Sequence, residues 1–225
     1  MKKSAFTMIE LVFVIVVLGI IASIAMGRME RDLKQEASET ILSHIRLAQQ
    51  LALSDNKHRS DSDSGWQTSY WQFAIKKCGD NDIAYMVGSD ISMGGTINGI
   101  GKSESAINPS DGKYIFSKDC SSLKPDETPS VLLTKRFGII NSGVVFTGGC
   151  NTRQILFDYL GRPHFRNTTY KSTSNGSNFQ NIMTQDCNLT FTMQTDQDND
   201  GNPDSFTITI EAETGHAFIV GQENS

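Results

Sequence analysis

Residues 6–27 read FTMIELVFVIVVLGIIASIAMG, and this stretch decides how the rest of the chain is organised. No charged residue occurs from Leu11 to Gly27. With the residues before it, the run is long enough to cross a bilayer as a helix, which takes about 20 residues. Glu10 lies inside it, where a carboxylate costs roughly 2.5 to 3.5 kcal/mol or more and is usually paired or functional. We therefore expect a transmembrane helix over residues 6–27, in which Glu10 needs a cationic partner.

A short basic leader, MKKSA at residues 1–5, precedes this helix. If the leader is removed, the new α-amino group of Phe6 becomes the natural partner of Glu10. The arrangement resembles type IV pilin and pseudopilin precursors, which carry a basic leader, a cleavage site, Phe-Thr and a glutamate at the fifth mature position. The resemblance implies that a prepilin peptidase cuts between Ala5 and Phe6 and methylates Phe6. It also implies that Glu10 neutralises the N-terminus of a neighbouring subunit during assembly. Ala5 stands where the family usually has glycine.

Two other interpretations of the N-terminus compete with this one. A secretory signal could be cut after the Ser-Ile-Ala at 23–25, but it would not place a charge at Glu10, and its apolar core is about 7 to 15 residues long. An ordinary single-pass anchor explains the hydrophobicity but not Glu10. If the segment stays in the membrane, either as a pilin-like helix or as an ordinary anchor, Lys2 and Lys3 stay in the cytoplasm. The resemblance then implies a bacterial inner-membrane protein with one span and a periplasmic C-terminal part.

Residues 28–55 continue the helix as an amphipathic extension. Apolar side chains recur there at helical spacing, and three leucines widen the stripe. The stripe comprises Leu33, Ala37, Ile41, Ile45, Ala48 and Ala52, and the widening residues are Leu42, Leu51 and Leu53. The polar run after Asp55 ends the helix.

Residues 56–225 form the predicted periplasmic head, which is rich in short strands separated by Gly, Ser, Asn and Asp turns. Alternating segments occur at 71–75 and 155–159, and two β segments at 188–193 and 205–212 flank an acidic loop. Segments 88–112 and 166–186 are predicted to be long loops. The fold class is α+β, with a long N-terminal helix packed on an antiparallel sheet. FDYLGRP at 157–163 and TGHAFIV at 214–220 resemble two segments found in one subgroup of the minor pseudopilins of type II secretion systems and in minor type IV pilins.

All four cysteines follow the membrane segment, in a compartment where disulfides persist. They are Cys78, Cys120, Cys150 and Cys187, and four cysteines allow three pairings. Pairing in sequence order would fasten each long loop to the sheet, and we expect that pairing. Zinc is not expected, because no CxxC occurs and the histidines are scattered.

A second motif is DQDNDGNPD at residues 196–204. Its oxygen ligands at alternate positions and its glycine at position 6 match the first part of an EF-hand calcium loop. The expected ligands are Asp196, Asp198, Asp200, Asn202 and Asp204. Thr207 occupies the position where such a loop usually has a bidentate glutamate. The absence of that ligand predicts a weak calcium site. An acidic hairpin turn without an ion is the alternative.

Composition narrows the function. The net charge of −5 gives no general attraction for nucleic acid, and no catalytic motif occurs. We expect a structural subunit, a minor pseudopilin or minor pilin of a type II secretion or type IV pilus system. Its expected partners are other pilin-like subunits, the prepilin peptidase and the inner-membrane assembly platform. The alternative is a tip pilin that binds DNA or an adhesive ligand through Lys135-Arg136, residues 162–166 and Lys171.

Overall fold

The protein is described by a computed structural model that covers residues 8–55, 69–79, 81–91, 100–165, 181–196 and 201–223. For residues 24–32 the description is limited to the backbone. In chain order, the helices and strands are α1 (Met8–Ser54), β1 (Trp71–Cys78), β2 (Asp82–Ser89), α2 (Leu133–Phe137), β3 (Ile139–Gly148), β4 (Gln154–Phe157), β5 (Pro163–His164), β6 (Cys187–Met193), β7 (Ser205–Ile210) and β8 (Ala217–Ile219). Short 3₁₀ turns lie at Lys102–Glu104 and Pro129–Val131.

Helix α1 is continuous across the predicted boundary between residues 27 and 28. Its 47 residues extend about 70 Å at 1.5 Å per residue. Side chains from Met8 to Ser23 are all exposed. Among the described residues, the helices do not include one that is long and apolar enough to cross a membrane. The description includes only part of the predicted segment 6–27.

The C-terminal part of α1 packs on the head as its apolar stripe predicts. Ala37, Ile41, Ile45 and Ala48 are fully buried, and Ala52 is 3% exposed. The prediction for Leu53 is wrong, because its side chain is 58% exposed. Leu53 lies beside the buried line that runs through Ala48 and Ala52, and it contacts the head only at its edge.

The described strands form two antiparallel four-stranded sheets, with strand orders β2-β1-β4-β5 and β3-β6-β7-β8. The α+β prediction is confirmed, but the expectation of a single sheet is wrong. The chain does not extend the first sheet with β3, which instead pairs with β6. Helix α1 contacts strands of both sheets, so its buried stripe forms part of one core with them.

Side chains on the two sheets meet α1 by strand alternation. In β6, Leu189, Phe191 and Met193 point into the core while the intervening residues are half-buried. In the first sheet, Phe73 lies opposite both Val87 and Ile155 and faces the same core. These inward rows provide the apolar surface against which α1 is held.

One sequence expectation for the first sheet needs correction, and the outer face of this sheet has an additional feature. Tyr159 is not part of a strand, because β4 ends at Phe157 and residue 159 lies in an exposed turn. The polar residues that alternate with Phe73 are not turned to solvent, since Gln72 is fully buried and pairs with Gln154 on the neighbouring strand. A second small apolar cluster of Ala74, Met86 and Ile100 lies on that outer face, which explains why β2 is buried along nearly its whole length.

Both disulfides of the structure follow sequence order, Cys78–Cys120 and Cys150–Cys187. The paired Cα atoms are 5.8 Å and 5.2 Å apart, respectively. Cys78 ends β1 and Cys187 begins β6, so each bridge joins a loop to the end of a strand. Of the predicted long loops, residues 92–99 and 166–180 lie outside the described part of the chain.

Candidate functional site

The predicted processing and assembly residues lie at the beginning of the chain. Ala5 and Phe6 are outside the described residues. Glu10 lies in the first turn of α1, within the exposed apolar part of the helix. The structure therefore places Glu10 far from the head, on a helix surface that the head does not cover.

The two head segments singled out in the sequence, 157–163 and 214–220, meet at the C-terminal part of α1. The side-chain amide of Gln49 donates hydrogen bonds to the carbonyls of Gly161, at 3.0 Å, and Thr214, at 2.8 Å. One helical turn earlier, Nε of Arg46 donates to the carbonyl of Ala217 at 3.0 Å. These bonds join both segments to one helix face.

Glycine is required where the two segments cross. Gly215 has a φ of +70°, and a Cβ on it would lie 2.5 Å from the carbonyl oxygen of Gly161 and 2.7 Å from Nε2 of Gln49. Gly161 has a φ of +78°. In both cases the left-handed backbone disfavours other residues, and at Gly215 there is also no room for a side chain.

A buried carboxylate fixes the turn between β4 and β5. One oxygen of Asp158 accepts hydrogen bonds from the backbone amides of Leu160 and Arg162. The other oxygen accepts from Nε of Arg162 at 2.8 Å and lies 2.7 Å from its Nη2 and 3.3 Å from Nε2 of His164. Burial opposes ionisation, but the hydrogen bonds from His164 and Arg162 outweigh it and lower the pKa of Asp158 to about 2. The carboxylate is thus charged and fully engaged.

A groove of about 1080 Å³ runs beside α1, between residues 36–50 and the loops at 108–111 and 128–130. At its base, Nδ1 of His44 lies 2.7 Å from the hydroxyl of Tyr85. Burial lowers the pKa of His44, while a hydrogen bond with Asn108 and the charge of Asp111 oppose this effect. The polar groups of the groove bond largely to one another, as Asn108 donates to Thr128. This pattern is typical of a structural network that ties α1 to the head.

The predicted calcium loop joins β6 to β7. Asp198 and Asp200 lie outside the described residues. Asp196 accepts a hydrogen bond from the amide of Gly201 at 3.0 Å with one oxygen, and its other oxygen is buried without a hydrogen-bond partner among the described residues.

The amide of Asp204 donates to the carbonyl of Thr195, which brings the two ends of the loop together. The Asp204 carboxylate also lies 4.0 Å from Nζ of Lys34. Among the described residues, no three side chains of the types His, Cys, Asp and Glu are grouped around a common metal position.

The basic residues considered for ligand binding are engaged within the protein where they are described. Arg136 pairs with Glu36 at 2.6 Å, Lys135 donates to the carbonyl of Ser121, and Arg162 pairs with Asp158. Arg166 and Lys171 lie outside the described residues. Lys135, Arg136 and Arg162 therefore do not form a patch of unpaired charge.

Sequence reasoning missed the polar residues that fix α1 to the head. These residues are Gln49, His44 and Arg46. Other polar residues surround them on α1, so the sequence alone does not distinguish them from solvent-exposed polar positions of the same helix. Asp158 lies within the segment 157–163, and its position before a Gly-Arg turn was the available signal.

Comparison with known families concerns the N-terminus. Residues 1–26 match the family model of the prokaryotic N-terminal methylation motif. No curated protein and no solved structure matches the chain. The chain therefore carries a prepilin-type leader of the kind found in type IV pilin-like proteins. The match ends at residue 26 and does not distinguish among pilin and pseudopilin subfamilies.

Proposed function

We propose that this chain is a minor pseudopilin or minor pilin, a structural subunit of a filament built by a type II secretion or type IV pilus system. The observation that carries the proposal is the combination of the leader match over residues 1–26 with helix α1. The helix is exposed and apolar from Met8 to Ser23 and packs on a β-rich head from Leu33 onward. A helix of this kind provides one part for association with a membrane or other subunits and another that holds the head.

In this proposal the precursor lies in the bacterial inner membrane with its head in the periplasm. Prepilin peptidase removes residues 1–5 and methylates Phe6, and the inner-membrane platform then assembles the subunit with other pilin-like chains. Mass spectrometry of the membrane-purified protein should find a methylated Phe6 at the N-terminus. A chain that begins at Met26 would instead establish a conventional signal peptide.

Glu10 tests the assembly step separately. Its exposed position on α1 suits a contact with the amine of Phe6 on a neighbouring subunit. Glu10→Ala should reduce incorporation into filaments, while Glu10→Asp, which retains the carboxylate, should restore part of it. Equal incorporation of the Ala variant and the unmodified chain would remove this role for Glu10.

We also propose a weak calcium site formed by Asp196, Asp198, Asp200, Asn202 and Asp204. Support comes from the hydrogen bond between Asp196 and Gly201 and from the other oxygen of Asp196, which is buried without a hydrogen-bond partner among the described residues. An ion bound to the folded state alone stabilises it by about 2.7 kcal/mol at a hundredfold excess over Kd. Calcium should therefore raise the melting temperature, and the double change Asp198→Ala with Asp200→Ala should abolish the rise. Identical melting curves in calcium and in chelator would show that the loop is an acidic turn that does not bind calcium.

The alternative function, a tip pilin that binds DNA, has less support because Lys135, Arg136 and Arg162 are engaged internally. Retention of DNA by the purified protein at low salt would favour it, since such binding depends on phosphate contacts and weakens with salt.

A further inference from the structure

The two ends of the β6–β7 loop lie side by side at its base. The amide of Met193 donates to the carbonyl of Asp204, and the amide of Asp204 donates to the carbonyl of Thr195. At the same end of the loop, Oγ1 of Thr195 and Oδ1 of Asp196 are both buried without a hydrogen-bond partner among the described residues. Buried oxygens without a partner are rare in folded proteins, and a bound ion or water is the usual explanation. The base of the loop therefore offers oxygen atoms of the kind that bind calcium.

Helix α1 brings a positive charge to the same place. Nζ of Lys34 lies 4.0 Å from Oδ1 of Asp204, and the Asp204 side chain is 11% exposed while that of Lys34 is 41% exposed. Lys34 follows Leu33, which packs against the core of the head. The ammonium group thus reaches the base of the loop from the beginning of the packed part of α1.

A calcium ion and the ammonium group of Lys34 compete for the carboxylate of Asp204. Carboxylate oxygens bind calcium at about 2.3 to 2.6 Å. Since Nζ is 4.0 Å from Oδ1 of Asp204, an ion on that oxygen would lie within roughly 7 Å of the nitrogen. At this separation in water, repulsion between a divalent and a monovalent cation lowers the affinity about sevenfold, and salt reduces the factor.

We propose that Lys34 is the built-in counter-ion of the β6–β7 loop and sets the calcium affinity of the proposed site by competing with the ion for Asp204. The inference rests on the proposed calcium site. It adds a regulatory link, because the competing charge belongs to α1. Calcium binding releases Lys34 from Asp204, and displacement of this turn of α1 from the head tightens calcium binding. The two effects are equal in free energy, because coupling between two binding events is reciprocal.

Calcium titration of the full-length protein in detergent, followed by the melting temperature, measures the affinity. Lys34→Met removes the charge and keeps the length of the side chain, so it should lower the Kd for calcium at least about threefold at low ionic strength. Lys34→Arg retains the charge and should keep the Kd of the unmodified chain. Arg136→Met is the matched control, because the pair of Arg136 with Glu36 also joins this part of α1 to the head but involves α2 instead of the β6–β7 loop. Its Kd should equal that of the unmodified chain.

The outcomes separate this inference from the site on which it rests. If calcium raises the melting temperature of the unmodified chain and Lys34→Met has the same Kd, Lys34 does not compete with the ion, while the calcium site stands. An equal gain of affinity in Arg136→Met would also overturn the inference, because loss of any ion pair between α1 and the head would then suffice. If neither the unmodified chain nor Lys34→Met responds to calcium, the site and the inference are both wrong.

Chemical labelling of lysine amines tests the release of Lys34 directly. An amine that leaves its carboxylate partner for the neighbourhood of a cation loses its proton more readily, and the neutral amine is the form that an acylating reagent modifies. Labelling of Lys34 in the full-length protein, measured by mass spectrometry, should therefore increase several-fold at saturating calcium. Lys102, which pairs with Asp126, should be labelled equally with and without calcium. Unchanged labelling of Lys34 at calcium concentrations that raise the melting temperature would contradict the competition.

Discussion

Replacement of Asp158 by Asn tests whether the buried carboxylate fixes the β4–β5 turn. The change keeps the size of the side chain and leaves an oxygen that can accept from the amides of Leu160 and Arg162. It removes the charge that lies 2.7 Å from Nη2 of Arg162 and that His164 also contacts. The expected loss of stability therefore comes from the charge rather than from packing.

The pKa of Asp158 gives the magnitude of the expected loss of stability. It falls from an ordinary 3.8 to about 2, since the hydrogen bonds of the folded state outweigh the effect of burial. At 1.36 kcal/mol per pKa unit, ionised Asp158 stabilises the folded state by about 2 kcal/mol at neutral pH. A carboxylate with a lowered pKa stabilises the fold above its unfolded pKa, and the contribution disappears as pH falls from about 4 to about 2. The Asn variant should thus be about 2 kcal/mol less stable at pH 7 and nearly equal to the unmodified protein at pH 2.

Urea unfolding of residues 28–225 is a suitable assay, because this fragment keeps the part of α1, from Leu33 onward, that contacts the head. Asp126→Asn is the control. Asp126 also pairs with a cation, Lys102, but its side chain is 56% exposed, and exposed ion pairs contribute little to stability. A difference between the Asp158→Asn and unmodified proteins that does not change with pH would refute the argument from charge.

Three other predictions address the contact between α1 and the head. Gly215→Ala should destabilise the protein by clearly more than Gly112→Ala. Both glycines have a φ near +70°, so both lose roughly 1 to 2 kcal/mol from the left-handed backbone, but only at Gly215 would the new Cβ meet other atoms. Ile45→Ala should cost about 2 to 5 kcal/mol in urea unfolding, because this fully buried side chain leaves a cavity. The lowered pKa of His44 means that stability decreases as pH falls below about 6.5, and His44→Gln should reduce the slope of the unfolding free energy between pH 7 and 5. A slope equal to that of the unmodified protein would show that the ring is not held neutral beside Tyr85.

Local patterns in the sequence predicted the elements well and their arrangement less well. The stripe from Ala37 to Ala52 identifies the packed face of α1 because helical periodicity depends only on spacing along one element. Strand pairing depends on contacts between distant segments, so the sequence does not indicate that β3 joins β6 and forms a second sheet. Gln72 is another example, because a polar residue in an alternating strand predicts a solvent-facing side, whereas the outer face of this sheet is covered.

In the candidate site, too, the sequence indicates some residues and not others. Glu10 stands out because a carboxylate in a long apolar run is costly and rare in membrane segments. Gln49 violates no rule in the sequence, since a polar residue near the end of an amphipathic helix is ordinary. Its importance arises from the distant carbonyls of Gly161 and Thr214, which become neighbours after the head has folded.

The hydrogen bonds between α1 and the head fix the position of the helix along its axis, which apolar packing does less well. An apolar stripe buried against two sheets fixes which face of a helix is covered, but the hydrophobic effect is not directional, so it defines the position along the axis less sharply than hydrogen bonds do. The paired bonds from Gln49 have a defined position, and a slip of one helical turn, about 5.4 Å, would break both of them. The hydrogen bond from Arg46 to the carbonyl of Ala217 opposes the same slip. Since the exposed half of α1 is the part proposed to contact other subunits, a force on it reaches the head through these hydrogen bonds and through the buried stripe. A helix fixed in register would transmit that force as a displacement of the whole subunit.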